Sequence, residues 1–189
     1  MHIKPGQLSG IIMGLAVIFC AGVAGAAKAQ VSTFGDGSYI VGSDIQPGIY
    51  RSLNPSGDCY WERESGFSGE LQDILANDNP AGPAVVSIGP TDRGFKSEDC
   101  GTWTADLSPI TSSLTAPFGD GTYIVGTDIA AGTWRATGGS DCYWERLGGF
   151  GGTLRDTIAN DFAGASIVTI STMDRGFKSD GCGTWTKVS

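Results

Sequence analysis

Histidine is almost missing from this chain of 189 residues, and the single one, His2, sits at the extreme N-terminus. Basic residues are scarce as well, with 12 Lys and Arg against 20 Asp and Glu. The first of these shortages matters most once the N-terminal segment is read. His2 and Lys4 form a short polar start, Ile11 to Ala27 is a run of apolar and small residues, and Ala27-Lys28-Ala29 precedes Gln30. Small residues at the two positions read by a signal peptidase predict a cleaved leader over residues 1–29. An uncleaved anchor competes with this reading, because a run of that length is borderline for a membrane span. A lipoprotein acylated on Cys20 competes too, but the bulky Phe19 just before it opposes acylation.

Cleavage after Ala29 removes the only histidine. The remaining chain then lacks the base of Ser-His-Asp and Cys-His catalysis and every His ligand for a metal. Loss of Lys4 and Lys28 from the 12 basic residues leaves 10 against 20 acidic ones. A net charge of about −10 opposes binding to nucleic acid and to anionic membrane surfaces. No stable membrane insertion is expected after cleavage. Removal of Cys20 leaves four cysteines, and an even number in an oxidising, secreted or periplasmic destination favours disulfides over thiol chemistry.

What is abundant is glycine, 30 residues, with aromatics spread through both halves. That composition describes a turn-rich, all-β chain with a packed core. It is also duplicated. Phe34-Gly35-Asp36-Gly37-Ser38-Tyr39-Ile40-Val41-Gly42 returns as Phe118-Gly119-Asp120-Gly121-Thr122-Tyr123-Ile124-Val125-Gly126, and Asp58–Arg63, DCYWER, returns at Asp141–Arg146. Two copies of about 70 residues imply tandem small domains and not a solenoid of short repeats. The expected layout is a first module over 30–104, a Ser/Thr/Pro-rich linker over 105–117 and a second module over 118–189. A unit that was duplicated once folded alone, so Cys59 is expected to pair with Cys100 and Cys142 with Cys182.

Short β-branched or aromatic runs bounded by turn residues predict strands at Ser38–Val41, Gly48–Ser52, Cys59–Arg63, Ala84–Ile88, Gly94–Lys96 and Thr102–Thr104, with counterparts in the second copy. The fold class is a pair of disulfide-bonded β-sandwiches or small barrels. Glu70–Ala76 carries apolar residues at helical spacing and reads as a helix turn or an irregular edge. On a strand, Cys59, Trp61 and Arg63 face one side and Tyr60 and Glu62 the other. The disulfide and the indole then share the core. Charges for Glu62 and Arg63 are expected from Asp92–Lys96 on a neighbouring strand.

Val41–Tyr50 has the form VGxDIxxGxY, and Val125–Trp134 repeats it with Trp in the last place. Together with CYWER, Gly-Phe-x-Gly, Ala-Asn-Asp and Cys-Gly-Thr-Trp, this resembles a small β-rich module of secreted bacterial proteins, present here twice. The resemblance implies a fold and an exported location, and no activity.

Three kinds of chemistry fit the residues. Tyr60 and Tyr143, beside Glu62 and Glu145, could stack on sugar rings or pack into an envelope protein, which makes the chain a non-enzymatic binding or scaffolding protein at the cell surface. Two such sites joined by a linker suit bivalent binding. An extracellular hydrolase is the alternative, with an acid and base drawn from Glu62, Asp73, Asp78, Glu145, Asp156 and Asp161 and held about 5–9.5 Å apart in a cleft. Calcium is a candidate ligand at Asn77-Asp78 and Asn160-Asp161, although Asn-Asp pairs are ordinarily turns and the spacing of an EF-hand loop is absent. The run Gly148–Gly152 resembles no phosphate loop and reads as a mobile hairpin tip.

Overall fold

The computed structural model describes residues 1–2 and 33–188 of the chain. Apart from Met1 and His2, the expected leader lies outside the described residues, as does Cys20. Among the described residues, no helix is long and apolar enough to cross a membrane.

Each copy is a sandwich of two antiparallel sheets. The first copy contains β1 (Thr33–Phe34), β2 (Gly37–Ile40), β3 (Gly48–Leu53), β4 (Tyr60–Glu64), β5 (Ile74–Asp78), β6 (Val85–Ile88), β7 (Gly94–Glu98) and β8 (Thr102–Thr104). They form one sheet in the order β1-β8-β3-β6 and a second in the order β2-β7-β4-β5. The second copy contains β9 (Gly121–Ile124), β10 (Gly132–Ala136), β11 (Tyr143–Leu147), β12 (Thr157–Phe162), β13 (Ile167–Ile170), β14 (Gly176–Asp180) and β15 (Trp185–Lys187). Its sheets run β13-β10-β15 and β12-β11-β14-β9, and a bridge from Phe118 to Trp185 replaces β1.

All six predicted strands form, each within two residues of its expected ends. The stretch read as a helix turn or an irregular edge contains both, a single turn and then the edge strand β5. Leu71–Asp73 makes one 3-10 turn and the chain then extends as β5, so the apolar spacing there does not mark an amphipathic helix. Leu71 and Leu75 are in fact exposed. Asn77-Asp78 and Asn160-Asp161, expected in turns, lie within β5 and β12 and pair with β4 and β11.

The core of each copy is an aromatic stack in which the final tryptophan is hydrogen-bonded, while the indole nitrogens of Trp61 and Trp144 are buried without a partner among the described residues. Phe95 meets Trp103 edge to face, with ring centroids 5.2 Å apart, and Phe177 meets Trp185 in the same way at 5.0 Å. Edge-to-face packing suits the ring quadrupoles. The fully buried indole of Trp103 donates to Ser97 Oγ at 2.8 Å, whose hydroxyl donates to Asp36 Oδ1 at 2.7 Å. Trp185, Ser179 and Asp120 repeat the chain at 2.8 and 2.6 Å. The repeated Phe-Gly-Asp-Gly is thereby explained: its aspartate ties the start of the module to the final tryptophan. Disulfides link Cys59 to Cys100 and Cys142 to Cys182, as the duplication predicts, and each bond belongs to its module's core cluster.

The VGxDIxxGxY motif closes a turn on itself. Asp44 Oδ2 accepts the Ile40 amide at 2.8 Å and Asp128 Oδ2 accepts that of Ile124 at 2.7 Å. Gly42 and Gly126 stand at φ of 84° and 82°, where a Cβ would be strained. Tyr50 and Trp134 stand on the interior strands β3 and β10, and both rings are fully buried. The exchange of Tyr for Trp is neutral to the hydrogen bonding. Tyr50 Oη donates to Gln46 O at 2.7 Å, and Trp134 Nε1 donates to the matching carbonyl of Ala130 at 3.0 Å.

The two sandwiches are in contact. Arg51 Nη2 lies 2.6 Å from Asp128 Oδ2, both side chains fully buried. Residues 105–117, read from sequence as a linker, are held to both modules. Ser108 O accepts from Arg51, Ile110 N donates to Asp128, and Leu114 O accepts from Ala130.

Candidate functional site

Strand alternation sorts DCYWER as expected. Cys59 and Trp61 point into the sandwich, with Trp61 stacked on Phe95 at 6.4 Å. Arg63, on the same face, makes a bidentate pair with the buried Asp92, at 2.7 Å from Nε and 2.8 Å from Nη2. Arg146 and Asp174 repeat it. Such forked pairs fix register as well as charge.

The opposite face of β2-β7-β4-β5 carries Ser38, Ile40, Tyr60, Glu62, Asn77 and Lys96. Tyr60 Oη donates to Glu62 Oε2 at 2.5 Å and accepts from Asn77 Nδ2 at 3.2 Å. Lys96 Nζ stands 3.0 Å from Glu98, 3.9 Å from Glu62 and 5.7 Å from the centre of the Tyr60 ring. Its bond to Glu98 raises the Lys96 pKa, and burial followed by the Glu62 contact raises that of Tyr60. The result is a shallow aromatic and charged face, open to solvent around Ile40.

The same face in the second copy is occupied, and the first module occupies it. Lys178 Nζ binds Asp78 of the first module at 2.8 Å and lies 3.9 Å from Glu145. Thr122 N donates to Pro83 O at 2.6 Å, Ser87 N to Phe150 O at 2.7 Å, and Arg63 Nη1 to Gly151 O at 2.6 Å. Val85 buries itself against Leu147 and Phe150, flanked by Ile49 and Ile124. The glycine run Gly148–Gly152 is therefore no mobile tip. A Cβ on Gly152 would stand 2.6 Å from Trp61 Cη2, so the loop can lie on the indole only as glycine. A cavity of about 170 Å³ remains between the modules. Trp61 and Val85 line one side of it and Tyr143, Glu145, Asp78 and Lys178 the polar side.

The six carboxylates considered for acid and base work are dispersed by the fold. Asp73 and Asp156 clamp the loops between paired strands, accepting from Ser68 and Thr153. The Ser68 bonds hold Asp73 below the usual carboxylate range. Glu62 is bound to Tyr60, and Asp161 is exposed. Asp78 and Glu145 do meet in the cavity, but they share one cation, Lys178, which compensates the charge of both. Among the described residues no three His, Cys, Asp or Glu side chains gather as a metal site would need.

Sequence reasoning overlooked Arg51, Asp128 and Phe150. One signal was available. Where the copies differ, an outward Glu64 has become Leu147, and an apolar residue on an outer face marks a face that is covered.

Burial pushes the Tyr143 phenol up to about 12, with Asn160 lowering it and Glu145 raising it, and burial does the same to Tyr123. An unfolded tyrosine ionises near 10. The folded protein therefore keeps protons that the unfolded chain has lost. The stabilisation contributed by these two phenols is complete below pH ~10 and falls as pH rises toward about 12. A phenolate absorbance titration should show Tyr123 and Tyr143 ionising about two pH units above a free tyrosine. Ionisation of Tyr123 and Tyr143 near pH 10 in the folded protein would exclude this environment.

A family model described as the Rv1352-like extracellular domain matches the chain twice, at residues 31–104 and 115–186. An uncharacterized protein of Mycobacterium bovis and the uncharacterized protein Rv1352 of Mycobacterium tuberculosis are each 29% identical over 109 residues. The match covers 50% of this chain and 89% of each relative. No solved structure matches it. Two disulfides of the kind that persist outside the cytoplasm accompany the match. The chain belongs to the Rv1352-like extracellular domain family and carries that domain twice.

Proposed function

We propose that this protein is a non-enzymatic binding and scaffolding protein of the extracellular space, and that its recognition surface is the open face around Tyr60. One observation carries the reading. The equivalent face around Tyr143 already works as a protein-binding surface within the chain, since it holds the first module through Lys178, Thr122 and Phe150. A sheet face that binds in one copy and lies open in the other is suited to an external partner, for which envelope protein and carbohydrate are the fitting classes. Because Tyr143 faces the junction, the two copies are not equivalent sites. Each chain presents one such face and not a bivalent pair.

The test uses the purified chain on immobilised cell-wall glycan and on envelope protein. The variant Tyr60→Ala combined with Lys96→Glu should lose at least about tenfold in retention while keeping its unfolding midpoint. Undiminished retention of the folded variant would move the site elsewhere. Absence of binding to either support would remove this face as an envelope or glycan receptor.

A further inference from the structure

The junction between the modules is heterologous. The first module contributes a knob, the open edge of its sandwich with Arg51, Arg63, Asp78 and Val85, and the second contributes a socket, the outer sheet face with its glycine loop. Since the modules are copies, every chain also carries an unused socket on the first module and an unused knob on the second. We propose that the chain associates head to tail, the second module of one copy docking on the first module of the next. This rests on the reading of the Tyr60 face as a binding surface and names its partner.

Each contact of the internal junction has an open counterpart. Val85 is 4% exposed, whereas its counterpart Ile167 is 58% exposed; Phe150 is 7% exposed, whereas Phe67 is 61% exposed. Arg63 uses all three of its donor nitrogens, two on Asp92 and Nη1 on Gly151 O. Arg146 uses only Nε and Nη2, both on Asp174, and its Nη1 has no partner among the described residues. Gly152 lies against Trp61, whereas nothing stands within 4 Å of a Cβ placed on Gly69, its counterpart beside Phe67.

The charges complement each other in the same register. Asp128 receives Arg51 inside the chain, and the corresponding Asp44 and Arg135 are both exposed. Asp78 binds Lys178 inside the chain, and the corresponding Asp161 is exposed while Lys96 meets Glu62, Glu98 and the Tyr60 ring, all of its own module. Docking of a second copy would thus pair Arg135 with Asp44 and Asp161 with Lys96, and would bury Ile167 against Phe67. Glu64 replaces Leu147 in the open socket, so the external contact is the weaker of the two. A heterologous contact repeats, giving a ring if its rotation closes and an open filament if it does not.

Sedimentation velocity over a range of concentrations tests this. Ile167→Asp removes the knob and Lys96→Glu the socket, and both positions are solvent-accessible. Each variant alone should stay monomeric, with association weakened at least about tenfold and the unfolding midpoint kept. Their mixture should form dimers and nothing larger, because one retains only a socket and the other only a knob. A wild-type chain that stays monomeric throughout, or variants that each still self-associate, would overturn the proposal. Monomeric behaviour together with Tyr60-dependent binding to envelope material would leave the binding face intact and exclude the second copy as its partner.

Discussion

Replacement of Arg51 by alanine is expected to destabilise the protein by about 3–5 kcal/mol, the usual cost of removing one partner from a buried ion pair. Arg51 and Asp128 are both fully buried, 2.6 Å apart, in different modules. Without the guanidinium, the Asp128 carboxylate keeps its amide donors from Ile124 and Ile110 but has no countercharge, and Ser108 O loses a donor. The loss therefore reflects a stranded charge more than the attraction of the pair. Arg51→Met combined with Asp128→Asn should cost less than the sum of the two single changes, because it removes both charges together. Arg135, the exposed counterpart of Arg51, provides the control. Its alanine variant should stay within about 0.5 kcal/mol of wild type. Urea unfolding measures all of these, and an Arg51→Ala variant as stable as wild type would mean that the pair does not form in solution.

Removal of the first disulfide by the double change Cys59→Ala and Cys100→Ala should cost about 2–5 kcal/mol, the usual range for a native bond in a small secreted domain. The bond closes a sequence separation of 41 residues, and a core of this size leaves little margin without it. The larger consequence concerns the second module. Duplication by itself suggests that the second copy would melt unchanged. The buried ion pair, the seating of Gly152 on Trp61 and the docked segment 105–117 instead make a folded first module part of the second module's environment. Loss of the first disulfide should lower the unfolding temperature of the whole chain in one transition. Two separated transitions, with the second at its wild-type temperature, would show that the junction opens before either module unfolds.

These two expectations frame what kind of molecule this is. The outer sheet face of the first module is not covered by the second module, whereas that of the second module lies against the first. The aromatic, ion-paired surface that recurs in both copies is thus used once in the junction and, in the function proposed above, once for recognition. The half-buried Tyr60 and Lys96 and the buried Glu62 are already braced by a hydrogen bond and an ion pair, so the proposed partner would meet a preorganised surface.

The all-β class, the two modules, the disulfide pairing and the inward placement of Cys59 and Trp61 could all be read from the sequence alone. Each depends on local pattern: alternation along a strand, glycine and proline at turns, and the spacing of a duplicated unit. Strand β5 was legible only as one of two alternatives because Ile74 to Asp78 has an exposed Leu75 and two polar residues at its end, a pattern as compatible with a turn as with an edge strand. The roles of Asp36 and Asp120 escaped for a different reason. Their partners, Ser97 with Cys100 and Ser179 with Cys182, lie some sixty residues away. Which copy of the DCYWER face is open and which is filled was decided by the tertiary structure only. Nearly identical residues stand in both places, and what differs is whether another module's Asp78, Pro83 and Val85 lie against them. Burial depends on neighbours brought together by folding, and a repeat that specifies the same module twice does not say where the second will sit on the first.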